Sequence, residues 1–124
     1  MGAEKEGGRN KVAIIVFADT ESHGDMARVV NALEAAKEFR EHKDEWRLIF
    51  DGAGTKWIPL LRDPGHPLHE LYMTVPATGA CAFCVDAFEV RESVEKAGTT
   101  LLSEFDRHPS LRRLVDQGFQ VITF

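Results

Sequence analysis

The run Val12-Ala13-Ile14-Ile15-Val16-Phe17-Ala18 limits most sharply what this chain can fold into. It is continuous, apolar and β-branched, and it is too short for a core helix. Such a run fits a strand covered on both faces, as in a parallel sheet whose crossovers carry helices. It predicts the central strand of an α/β domain. Ser22-His23-Gly24-Asp25 then has the spacing of a capping box, and Met26, Val29, Val30, Leu33 and Ala36 recur at helical spacing opposite Glu34, Lys37, Glu38 and Glu41. A long amphipathic helix to about Glu41 follows. Trp46 to Phe50 reads as a second strand, Asp51-Gly52-Ala53-Gly54 as a turn, and Thr55 to Leu61 as a short helix ended by Asp63-Pro64-Gly65. Pro67 suits the first turn of a further helix carrying Leu68, Leu71, Tyr72 and Val75.

In the second half, Thr78 to Ala82 predicts a third strand that runs into a helix at Cys81, although Pro76 and Gly79 leave it few residues. A helix to Ala97 closed by Gly98, a strand at Thr99 to Leu102, a helix from Pro109 to Gln117 closed by Gly118, and a last strand Phe119 to Phe124 complete the pattern. Strands alternating with helices imply right-handed crossovers and an α/β sandwich. The 124 residues make one domain, 11–124, with the Gly-rich, charged residues 1–10 expected as a flexible tail outside it.

Charge and composition exclude several classes of function. The net charge is −5, and the fifteen Lys and Arg are scattered, so nothing in the sequence tracks a phosphate backbone and nucleic acid is not expected as a partner. No apolar run approaches the ~20 residues of a membrane span, so no membrane association is expected. Two cysteines without a cleavable apolar leader point to a reducing compartment, with the cytoplasm as the expected location.

Thiolate chemistry has one address, the Cys-x-x-Cys pair Cys81 and Cys84. A helix N-terminus lowers a thiol pKa from about 8.5 to ~7.5 or below, which would make Cys81 a nucleophile while Cys84, one turn further in, stays a thiol. The bland alternative is that Gly79-Ala80-Cys81-Ala82-Phe83-Cys84-Val85 is small buried core. Ligands of open α/β sheets collect outside the carboxyl ends of the strands. Three segments are expected there: the loop with Thr20, Ser22 and His23, the turn with Asp51, Gly52 and Gly54, and Cys81. His23 is the expected partner of Cys81, since an imidazolium stabilises a thiolate and shuttles its proton; otherwise it is a solvated loop residue. Asp51 is a second polar group of the pocket, or the cap of its own turn.

No cofactor is expected. Gly52-x-Gly54 lacks a third glycine, since Trp57 stands in that place, and there is no Gly-Lys-Ser/Thr sequence. Trp57 and Tyr72 read as packing rather than as flavin stackers. His66-x-x-His69 and Cys81-x-x-Cys84 together supply four ligands of a type zinc accepts, which keeps a metal-binding alternative open. Pro67 and the helix after it leave both histidines at the surface, so no resident metal is expected. Arg112-Arg113 reads as a solvated face, and His108-Pro109-Ser110 as a helix start.

Four segments resemble a known family: Asp51-Gly52-Ala53-Gly54-Thr55-Lys56-Trp57; His66-Pro67-Leu68-His69; Gly79-Ala80-Cys81-x-x-Cys84-x-x-Ala87-Phe88; and His108-Pro109-Ser110 with Gly118-Phe119-Gln120-Val121-Ile122-Thr123-Phe124. From about Lys11 onward the chain is similar to the DsrE/DsrF-like proteins of sulfur relay and sulfur oxidation. The resemblance implies a three-layer, flavodoxin-like sandwich with a mostly parallel sheet of about five strands, assembled as a trimer or hexamer. It implies a persulfide carried on Cys81, with Cys84 at the place of a second cysteine found in some relatives, and it leaves a structural or pocket role open for His108-Pro109-Ser110. Sulfur donor and acceptor proteins, or small persulfides, would be its partners. The glycine common in that family eight residues after the first cysteine is Glu89 here. The apolar residues Trp57, Ile58, Leu60 and Leu61 on a short helix add to the expectation of an oligomer.

Overall fold

The computed structural model describes residues 9–124, so the segment set apart by sequence lies outside the described residues except for Arg9 and Asn10. Asn10 already belongs to the fold. Its N–H donates to Asp44 Oδ1 at 3.0 Å, and its carbonyl accepts the N–H of Glu45 at 3.0 Å.

Five strands, β1 Lys11–Val16, β2 Glu45–Phe50, β3 Gly79–Cys81, β4 Leu101–Leu102 and β5 Gln120–Thr123, form one parallel sheet in the order β4-β3-β2-β1-β5. The apolar run at Val12 is an interior strand, as expected, although β2 rather than β1 takes the middle place. Between the strands lie α1 His23–Glu41, a 3₁₀ helix Gly52–Lys56, α2 Trp57–Arg62, α3 His69–Thr74, α4 Ala82–Ala87, α5 Arg91–Lys96 and α6 Leu111–Asp116. Half of the capping box forms: Ser22 is the N-cap, its Oγ accepting the Asp25 N–H at 3.1 Å and fixing the start of α1, while the Asp25 carboxylate accepts from the Ser22 hydroxyl at 3.0 Å rather than from its backbone N–H.

Alternation along β2 separates the two faces of the sheet. Leu48 and Phe50 join Val29 and Leu33 of α1, Ile58 of α2 and Tyr72 of α3 in one buried core. Arg47 and Ile49 point the other way and, with Arg113 and Leu114 of α6, line a cavity of about 290 Å³. The chain is therefore a three-layer flavodoxin-like α/β sandwich, with a strand order different from the β2-β1-β3-β4-β5 of flavodoxins. A walk in one direction from β1 to β4 keeps its right-handed crossovers on one face, and only the return to β5 carries a helix, α6, to the other.

The apolar side chains of α2 correct an expectation. Trp57, Ile58 and Leu61 are buried and only Leu60 is exposed, so this helix is core rather than uncovered surface. Trp57 also anchors the loop after β1, its Nε1–H donating to the carbonyls of Ala18 and Asp19, both at 3.0 Å. Among the described residues no helix is long and apolar enough to cross a membrane.

Candidate functional site

Strand order decides which loops meet. β2 and β4 flank β3, so the segments after β2 and β4 descend beside Cys81, which ends β3. β1 is two strands away, roughly 10 Å at ordinary strand spacing. Its loop belongs elsewhere.

Cys81 is the N-cap of α4, and its Sγ accepts the Cys84 N–H at 3.4 Å. The thiol donates to the Arg107 carbonyl at 3.8 Å, and His108 Nδ1 lies 3.3 Å from the same sulfur, a contact in which either atom can hold the proton. Cys84 Sγ–H donates to Asp51 Oδ1 at 3.5 Å. Asp51 in turn caps the 3₁₀ helix by accepting the Gly52 N–H at 2.8 Å. Two thiols, an imidazole and a carboxylate thus offer ligand atoms that all lie within 4.8 Å of one another.

His108 reaches this place through a tight turn. Phe105 and His108 exchange both backbone hydrogen bonds, at 3.0 and 2.7 Å, and the residues between them, Asp106 and Arg107, have φ of 48° and 69°. That is a type I′ turn built without glycine. The Arg107 carbonyl at its tip accepts the Phe83 N–H at 2.9 Å, satisfying an orphan donor of the first turn of α4. Arg107 is also paired with Asp86 of α4, and its guanidinium lies 5.3 Å from the centre of the Phe83 ring. The Phe83 ring packs on His108 with centroids 4.9 Å apart. Helix and turn are clamped together around the sulfur.

The expected low pKa of Cys81 is reversed. Burial, at 0% exposure, pushes its thiol up to about 12; the Cys84 N–H works against that rise, and the Asp51 charge adds to it. Cys84 is also pushed up, chiefly by burial. The physical reason is length: α4 has only six residues, and a single N–H reaches the sulfur, too little to offset the loss of water. Both cysteines rest as thiols.

The candidate residues of the sequence divide into two groups. Cys81, Cys84 and Asp51 come together, with Gly52 supplying a backbone donor. Gly54 serves packing instead, since a Cβ there would stand 2.1 Å from the Val16 carbonyl oxygen. Thr20, Ser22 and His23 line a separate open recess of about 500 Å³ with Trp57, Leu60 and His66. Lys56 pairs with Asp19 and holds that loop there, keeping the Asp19 carboxyl below its usual range chiefly through their hydrogen bond. His66 packs its ring edge against Trp57 at 6.0 Å, and His69 Nδ1 sits 2.8 Å from the Leu61 carbonyl. The two histidines of the metal alternative are thus occupied away from the cysteines. His108, read from the residues as a helix start with a pocket role left open by the resemblance, was not paired with Cys81 from sequence; the adjacency of β3 and β4 is the signal that pairs them.

Comparison with known proteins adds one relative. An uncharacterized protein of Methanocaldococcus jannaschii is 28% identical over 114 residues, covering 90% of this chain and 93% of its own. No family model matches the chain, and no solved structure matches it.

Proposed function

We propose that the chain is a sulfur carrier that holds sulfane sulfur as a persulfide on Cys81. The observation that carries this reading is the 3.3 Å approach of Cys81 Sγ to His108 Nδ1, which puts a thiol beside an imidazole nitrogen that in one tautomer can take its proton. His108 replaces His23 as the partner.

In the loading step the Cys81 thiol gives its proton to His108 Nδ1, and the thiolate attacks the outer sulfur of a donor persulfide R–S–SH. The donor S–S bond breaks, a new S–S bond forms on Cys81, and the leaving thiolate takes the proton back from His108 as R–SH. The exchange is redox-neutral and needs no cofactor. Because Cys81 is fully buried, loading requires a local opening that leaves His108 beside the sulfur. The resemblance to sulfur-relay proteins supports the same role, an assembly of several copies, and exchange with small or protein-bound persulfides in a reducing compartment.

Intact-mass spectrometry after incubation with a persulfide donor tests the reading. The wild-type chain gains one sulfur atom, Cys81→Ser gains none, Cys84→Ser loads normally but holds its sulfur for a different time, and His108→Ala loads more slowly by a factor on the order of 10². Sulfur uptake by Cys81→Ser overturns the proposal.

A further inference from the structure

The four groups around the cysteine pair have a second use. We propose that Cys81 Sγ, Cys84 Sγ, His108 Nδ1 and Asp51 Oδ1 form a tetrahedral site for one Zn²⁺ ion.

Geometry carries the assignment. A tetrahedral zinc with sulfur at about 2.3 Å and nitrogen or oxygen at about 2.0 Å has ligand-to-ligand edges of roughly 3.3–3.8 Å. The Cys81–His108 edge is 3.3 Å and the Cys84–Asp51 edge is 3.5 Å. All four donor atoms lie within 4.8 Å of one another, so no edge has to close by more than about 1.5 Å to reach the edges a zinc imposes. The donor set is the one zinc selects, two soft sulfurs with an imidazole and a carboxylate, whereas calcium and magnesium take oxygen alone. Three separate segments supply it, each held by its own backbone bonds: α4 by its cap, Asp51 by the Gly52 N–H, and His108 by the tight turn.

The outer shell is also in place. The Cys84 N–H already donates to Cys81 Sγ, and the Gly52 N–H to Asp51 Oδ1, the contacts that orient metal ligands and spread their charge. Zinc enters as each thiol releases its proton to solvent, two per ion. Two thiolates balance the ion, and the Asp51 carboxylate leaves one net negative charge on the cluster.

The zinc assignment rests on ligand geometry alone. Combined with the carrier reading it has a further consequence, because a sulfur bound to zinc cannot attack a persulfide. Zinc and sulfane sulfur then exclude one another at Cys81.

The test is a titration of the reduced full chain, stripped of metal, with Zn²⁺ against a chromophoric chelator, and a parallel titration with Co²⁺. The expected result is one zinc per chain and the intense visible bands of tetrahedral, thiolate-bound cobalt. Cys81→Ser, Cys84→Ser, His108→Ala and Asp51→Asn each weaken zinc binding, on the order of 100-fold for the sulfur and nitrogen ligands. His66→Gln and His69→Gln leave it unchanged. Should a ligand variant fail to fold, the cobalt spectrum of the wild-type chain decides alone. Less than one zinc per chain at micromolar metal, a pale octahedral cobalt spectrum, or loss of binding on replacing His66 or His69 overturns the assignment. Sulfur loading of the zinc-free chain probes the carrier reading separately, so either can fail while the other stands.

Discussion

At the scale of single residues, the competition at Cys81 is between a helix start and the loss of water, and water wins. The sequence shows the helix start plainly, in the position of Cys81 before an apolar helical stretch, but burial is a property of the fold, in which the Phe105–His108 turn closes against Cys81 at the end of β3. With a thiol at about 12, the thiolate fraction at neutral pH falls on the order of 10³-fold below that of free cysteine. Alkylation of Cys81 by iodoacetamide in the native chain should therefore be slower by about that factor, and should recover in denaturant. Rapid native labelling of Cys81 would show the sulfur to be open. The same shift has a signature in stability. A thiol whose folded pKa is raised keeps its full contribution below the unfolded value of about 9 and loses it as pH rises toward about 12. The stability difference between wild type and Cys81→Ala should thus shrink between those pH values and stay flat below them. Measuring the difference cancels Tyr72, whose hydroxyl burial also pushes up and which is present in both proteins.

Among the elements, those with a strong local pattern were legible: the run at Val12, the capped helix after Ser22, and the terminators Gly98 and Gly118, whose φ of 74° and 90° are the left-handed values a helix end requires. Short elements were blurred. β3 has three residues and β4 two, so their existence depends on neighbours in the sheet rather than on any period of their own. Glu89 joins local and tertiary effects. Its φ is 58°, the left-handed conformation a glycine adopts freely, and its N–H donates to the Asp86 carbonyl at 3.1 Å as α4 ends. The turn is therefore made in spite of the side chain, and the geometry a glycine would give is preserved. A non-glycine residue there costs about 1 kcal/mol, partly offset by the larger chain entropy of glycine. Glu89→Gly should raise stability by up to about 1 kcal/mol, and Glu89→Val should lower it by a comparable amount or more. Chemical denaturation of the two variants checks both signs. A Gly variant less stable than wild type would mean that the Glu89 side chain makes a compensating contact.

For the whole molecule, the sheet order governs both the site and the surface. The alternation of strands and helices announced a parallel sandwich, yet no local pattern states that β4 lies beside β3 and β5 beside β1. That is why His23 rather than His108 was expected beside Cys81. The same order makes the two faces of the sheet unequal. One face is covered by α1 with α2 and α3, while the other depends on α6, a six-residue helix with no fully buried side chain. Leu111 and Val115, one turn apart on α6, are 41% and 60% exposed, and Ile122 of the edge strand β5 is also exposed. This uncovered apolar surface, rather than α2, now supports the proposed assembly, since packing α6 and β5 against another copy would remove it from water. Light scattering on a sizing column should report a multiple of the 13.9 kDa chain, and Val115→Glu should shift it toward the single chain without loss of helical content. The substitution places a charge at a contact between copies, which costs far more there than on a solvated helix. A 13.9 kDa species at every concentration would make α6 the outer wall of a monomer, and the proposed carrier would then act as a single chain.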